Sequence, residues 1–150
     1  MVMYFSGTGN SRYAARIIAD VTGERLVSIN EMIKTGNREL LRFQEQSRRL
    51  IFVTPTYAWR IPRLVEKFIT EADFRKDLKV YFVLTCGSET HNAVGYVKKL
   101  CKKMGFNFQG MASVRMPENY IVMFTPPDEE TAKKEIEAAT AEINRVAQDI

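Results

Sequence analysis

The chain has 150 residues, 45% of them hydrophobic, which suits one domain with a buried core and leaves too little for two. No apolar run approaches the roughly 18 residues of a membrane span, and no leader-like segment opens the sequence, so a cytoplasmic protein with no membrane partner is expected. Two cysteines without a CxxC pair argue against a disulfide framework or a zinc site, and a formal charge of +4 scattered among acids, with no recognition motif, argues against nucleic acid.

In chain order, Val2-Met3-Tyr4-Phe5 is a short continuous apolar run, the pattern of a strand buried on both faces. Ser6-Gly7-Thr8-Gly9-Asn10-Ser11 follows, then a helical stripe of Ala14, Ile17, Ile18 and Val21 that Gly23 would end. Arg25-Leu26-Val27-Ser28-Ile29 is more interrupted, as edge strands are. A thin stripe around Leu40, Leu41 and Phe43 predicts a second helix within 37–46. Leu50-Ile51-Phe52-Val53 is the next buried strand, and Leu64, Val65, Phe68 and Ile69 mark a third helix with Pro62 at its first position. Val80-Tyr81-Phe82-Val83-Leu84 is another central strand, followed by a helix on Val94, Val97, Leu100, Cys101 and Met104 that Gly105 ends. Met111 to Met116 reads as a second edge strand, and the last helix carries Ala132, Ile136, Ala139, Ile143, Val146, Ala147 and Ile150 behind Asp128.

Strands alternating with helices imply an α/β fold with a doubly wound five-stranded parallel sheet, because parallel strands need right-handed crossovers. Edge character in the second and fifth strands gives the order 2-1-3-4-5 in a three-layer sandwich, one domain over 1–150. Ligands of such sheets bind beyond the carboxyl ends of the strands where the winding reverses, here between the first and third. Three loops are therefore singled out: 6–11, 54–62 and 85–92.

The first loop combines two glycines with the hydroxyls of Ser6, Thr8 and Ser11 directly ahead of a helix N-terminus, a composition suited to a phosphate. A plain polar turn has similar residues at lower density. A Rossmann fingerprint is the sharper rival, since Glu31 stands 22 residues beyond Gly9, but Arg12 occupies the third glycine position. A Walker lysine is also missing.

Ser6, Thr8, Gly9 and Ser11 match the pattern Ser/Thr-x-Thr-Gly-x-Ser/Thr, and on it the sequence resembles the flavodoxin-like family. With Pro55 to Arg63, Thr85-Cys86-Gly87 and Met116 to Tyr120 it is most similar to the flavodoxin-like domain that some bacterial proteins join to a four-iron ferredoxin module. The resemblance implies one FMN, its phosphate held by Ser6, Thr8, Gly9, Asn10 and Ser11. Around the ring it implies Pro55, Thr56, Tyr57, Ala58, Trp59, Arg60, Thr85, Cys86 and Gly87. It further implies an electron-transfer protein whose partner is a redox protein of ferredoxin or reductase type or a small-molecule electron acceptor; the sequence leaves the oligomeric state open, with a monomer favoured. An FMN-dependent NAD(P)H:quinone or related reductase shares fold and cofactor and stays open. No catalytic residue and no metal ligand is expected.

Tyr57 and Trp59 are flat side chains in the second loop, and Trp59 is favoured for the flavin face with Tyr57 second; packing of both beneath the loop is the competing possibility. His91, the lone histidine, is expected to be exposed and idle, and Cys86 to behave as a small buried hydrophobe. The segment from Met116 to Tyr120 either approaches the cofactor or closes the rim. Arg60 and Arg63, against Glu89 and Glu118, predict a reduced flavin less strongly reducing than one ringed by acids. Tyr57 to Ile61 contains no glycine, so positive φ should be costly there.

Overall fold

The computed structural model describes residues 1–37, 39 and 49–150. The elements run β1 (Val2–Tyr4), α1 (Asn10–Thr22), β2 (Leu26–Ser28), α2 (Ile29–Thr35), β3 (Arg49–Pro55), α3 (Arg63–Glu71), β4 (Lys79–Cys86), α4 (Ala93–Met104), β5 (Asn107–Arg115) and α5 (Glu129–Asp149). All neighbouring strands are parallel, in the order β2-β1-β3-β4-β5. The expected fold class and edge strands are both observed.

Alternation along the central strands divides the core in two. Met3, Leu50, Phe52, Val80, Phe82 and Leu84 face the side covered by α2, α3 and α4, while Val2, Ile51, Val53 and Val83 face α1 and α5. Across the sheet Met3 pairs with Phe52, and Phe52 with Phe82. The Phe52 and Phe82 rings stack at 5.2 Å, and Phe74 meets Phe52 edge-on at 5.9 Å.

Several boundaries differ from expectation. The helix predicted on Leu40, Leu41 and Phe43 falls on residues outside those described, whereas α2 begins at Ile29, which the sequence assigned to the second strand. Ser28 explains the early start: its hydroxyl accepts the Glu31 N–H at 3.3 Å, a helix N-cap. Pro62 caps α3 from just outside rather than occupying its first position. Val21 and Leu64, read as core positions, are exposed at the margins of their stripes. β5 starts at Asn107 rather than Met111; as an edge strand it tolerates polar residues that hide it in a hydrophobic pattern. Gly23 and Gly105 end α1 and α4 in left-handed conformation, at φ 65° and 72°. Among the described residues no helix is long and apolar enough to cross a membrane.

Candidate functional site

Because every strand points the same way, the turns after β1, β3 and β4 and the segment after β5 gather at one end of the sheet. Phe5 to Gly9 form the first turn. Ser6 N–H donates to Asn30 Oδ1 at 2.9 Å, and Asn30 Nδ2 donates back to the Ser6 carbonyl at 3.2 Å, so α2 grips the turn at its base. Ser6 Oγ accepts the Gly9 N–H at 3.0 Å, curling the loop, and Gly9 stands at φ 116°, which residues with a Cβ rarely adopt. Thr8 and Gly9 are exposed, and the first-turn N–H groups of α1 have no earlier turn to satisfy them. These groups make a donor surface for an anion.

Ser11 is placed differently. It is buried, and its hydroxyl shares a 2.7 Å hydrogen bond with Thr85 Oγ1 at the end of β4. The sequence assigned both hydroxyls to a ligand, whereas the structure joins them to each other and ties α1 to the sheet. One hydroxyl proton of the two is left for any other acceptor.

In the second turn, Tyr57 N–H donates to the Arg60 carbonyl at 2.9 Å and Arg60 N–H to the Tyr57 carbonyl at 3.2 Å. The two residues between them have φ of 47° at Ala58 and 60° at Trp59. Two consecutive positive φ values are the habit of a type I′ hairpin turn, where Asn-Gly is usual. On side chains with a Cβ they cost on the order of 1–2 kcal/mol each. The positive φ marked as costly from the sequence is adopted at both residues, and both aromatics of the turn are exposed.

Tyr57 is 51% exposed and Trp59 58%, which overturns the possibility that both pack beneath the loop. Tyr57 leans over the first turn, where a Cβ on Gly7 would come within 3.2 Å of its hydroxyl. Trp59 meets the His91 ring edge-on at 5.4 Å. His91 itself is exposed, at φ 40°, with Nδ1 3.6 Å from Glu89 Oε2. Arg60 is bonded to Glu66 and lies 4.8 Å from the centre of the Tyr96 ring. Glu66 therefore compensates the cation expected to bias a bound flavin, and Arg60 faces α3 and α4.

The third loop is joined to the second by Thr56 N–H donating to the Thr85 carbonyl at 2.8 Å. Cys86 is half-buried, and burial raises its thiol pKa; burial pushes Cys101 up to about 12, so both stay protonated near neutral pH. A Cβ on Gly87 would collide with the Glu118 carboxylate, so glycine admits that acid to the loop. Glu118 Oε1 accepts the N–H groups of Asn119 at 2.9 Å and Tyr120 at 2.8 Å. Asn119 Nδ2 donates to Thr8 Oγ1, and Asn10 Nδ2 to the Pro117 carbonyl at 3.0 Å. The Met116 to Tyr120 segment thus bridges the first and third loops, and Tyr120 to Phe124 continue as consecutive exposed apolar side chains.

The family profile described as flavodoxin domain matches residues 1–116. The chain belongs to the flavodoxin domain family. Flavodoxin domains hold FMN, so FMN is the cofactor of this domain. A general stress protein 14 from Treponema denticola, solved in complex with FMN, superposes at a TM-score of 0.64 with 12% identity, covering 99% of this chain and 92% of that one. The Trp repressor binding protein from Bacillus subtilis gives 0.59 and 15%, covering 93% and 94%. An azoreductase from Bacillus anthracis gives 0.56 and 14%, covering 99% of each chain. At these identities the likeness is one of fold. No curated protein matches the sequence.

The site of this flavodoxin domain fits FMN in its own chemistry. The curled turn offers donors to a phosphate, the second turn offers flat apolar surface to a ring, and Thr56 Oγ1 is buried without a hydrogen-bond partner. Sequence reasoning missed Asn30, whose signal was the cap sequence Ser28-Ile29-Asn30-Glu31 placing it beside the first turn. It gave Glu118 only a charge near the flavin and Asn119 no separate role, since their partners Gly87 and Thr8 lie far away in sequence.

Proposed function

We propose that this flavodoxin domain is an electron-transfer protein carrying one FMN, a cytoplasmic monomer that exchanges electrons with a redox protein of ferredoxin or reductase type. The observation that carries this is the strained turn holding Tyr57 and Trp59 out of the core beside the phosphate turn, at the point where the winding reverses. When bound, FMN supplies the chemistry by accepting and returning electrons at its ring.

The protein's part is to bind and orient. Ser6, Thr8, Gly9 and Asn10 surround the phosphate position, with Ser11 contributing its N–H, since its hydroxyl serves Thr85. Tyr57, Ala58, Trp59 and Arg60, with Pro55 and Thr56 below them, form one wall, and Thr85, Cys86 and Gly87 the other. The exposed run from Tyr120 to Phe124 supports a protein partner, because contiguous apolar surface of this kind is ordinarily covered by one. The similarity of the loops to domains joined to four-iron ferredoxin modules supports a ferredoxin-type partner.

One observation favours an FMN-dependent NAD(P)H:quinone or related reductase instead. The turn is bonded across Tyr57 and Arg60, which restricts rearrangement between flavin states that differ by one electron. The FMN-loaded protein, mixed with NAD(P)H and a quinone, is expected to oxidise the nucleotide no faster than free FMN. Saturable turnover well above that level would make it a reductase.

A further inference from the structure

Among the described residues, a cluster of lysines stands on one helix, α4. α4 carries Lys98, Lys99, Lys102 and Lys103, all exposed, and no acid. Among the described residues none of the four is in an ion pair, and neither is Arg63 of α3. Arg60, Arg63, Lys67 and Lys103 line a cleft of about 370 Å³; Glu66, its one acid, is bonded to Arg60, and Glu71 pairs with Lys67 at 3.7 Å, which leaves Arg63 and Lys103 outside any ion pair among the described residues. On the opposite side α5 holds six acids against three cations, each cation paired with a glutamate of the same helix.

Helix stability does not explain this arrangement. Lys102 and Lys103 suit the helix C-terminus. Lys98 and Lys99, however, stand four residues before them, so α4 contains two like-charge pairs at the spacing where α5 sets Lys133 against Glu129 and Lys134 against Glu130. The cleft also reaches Arg60, the residue next to Trp59, so the basic face runs up to the mouth of the flavin site. Charge complementarity of this kind steers encounter and fixes orientation.

We propose that the α3–α4 face is the docking surface for a redox protein with an acidic surface, seating it beside Trp59; this rests on the electron-carrier function above. The probe is an acidic plant-type [2Fe–2S] ferredoxin, immobilised and titrated with the protein, with and without FMN. Binding is expected to weaken about tenfold or more as salt rises from ~20 mM to ~200 mM. Lys99→Glu/Lys103→Glu should remove most of it, and Lys99→Gln/Lys103→Gln about half of that effect in free energy, a second test should the charge reversal fail to fold. The control Lys133→Glu/Lys134→Glu makes the same change, from +4 to 0 in net charge, and is expected to bind within about twofold of wild type.

Equal losses in the α4 and α5 variants would reduce the effect to net charge and overturn the proposal, as would unchanged binding in the α4 variants. Loss of NADPH affinity in those variants with ferredoxin binding intact would assign the cleft to a nucleotide phosphate and overturn it too. An FMN titration separates the two levels. A chain that takes up no FMN fails as an electron carrier whatever the sensor reads, whereas normal FMN uptake with indifferent ferredoxin binding refutes the docking surface alone.

Discussion

The Ser11 and Thr85 hydroxyls satisfy each other at 2.7 Å inside the carboxyl end of the sheet, so each depends on the other. Ser11→Ala or Thr85→Val alone leaves a buried polar group unpaired and is expected to cost about 1–3 kcal/mol in urea denaturation. The double substitution should cost less than the sum, by roughly 0.5 kcal/mol or more; strictly additive losses would contradict the pairing. Ala58 stands at φ 47°, and Ala58→Gly removes strain of about 1–2 kcal/mol against roughly 0.5–1 kcal/mol of added chain entropy. A modest rise in melting temperature is expected, and a fall would show that the turn is not strained there. These residues show where sequence patterns end. The hydroxyls and glycines of 6–11 suggest a phosphate turn from the sequence itself, because glycine and hydroxyl chemistry is local. That Ser11 would turn inward to Thr85, or Glu118 lie on Gly87, depends on which loops the sheet brings together.

Among the elements, the strands and long helices were legible from the apolar pattern, and α2 escaped it for a specific reason. Its buried residues are only Ile29 and Met32, too few for a stripe, so the cap at Ser28 and Glu31 was its remaining signal. Glu31, at the spacing of a Rossmann acid, serves instead in the first turn of α2. α5 is capped more strongly. Asp128 accepts the Thr131 N–H at 2.8 Å and the Thr131 hydroxyl at 3.1 Å, and these bonds hold its carboxyl below its ordinary pKa of 3.8. A carboxyl whose pKa is lowered by folding stabilises the fold above its ordinary value, and that contribution disappears as pH falls through the folded value. Asp128→Ala should therefore melt earlier than wild type near neutral pH, with the gap closing as the solution is acidified below the carboxylate range. A gap that stays constant with pH would show that the charged cap does not act.

At the scale of the whole molecule, the parallel sheet gathers four loops at one end and divides charge between its two faces, acidic α5 on one and basic α4 on the other. The overall charge of +4 hides that division, because sequence order interleaves helices that the fold separates. The central claim is that the gathered loops hold FMN by its phosphate as well as by its ring. The most direct test is a titration of the flavin-free protein with FMN and, separately, with riboflavin, followed by flavin fluorescence. One FMN per chain is expected, with riboflavin bound at least ~10-fold more weakly because it leaves the donors of the first turn unused. Equal affinity for the two flavins, or no uptake of FMN, would contradict it.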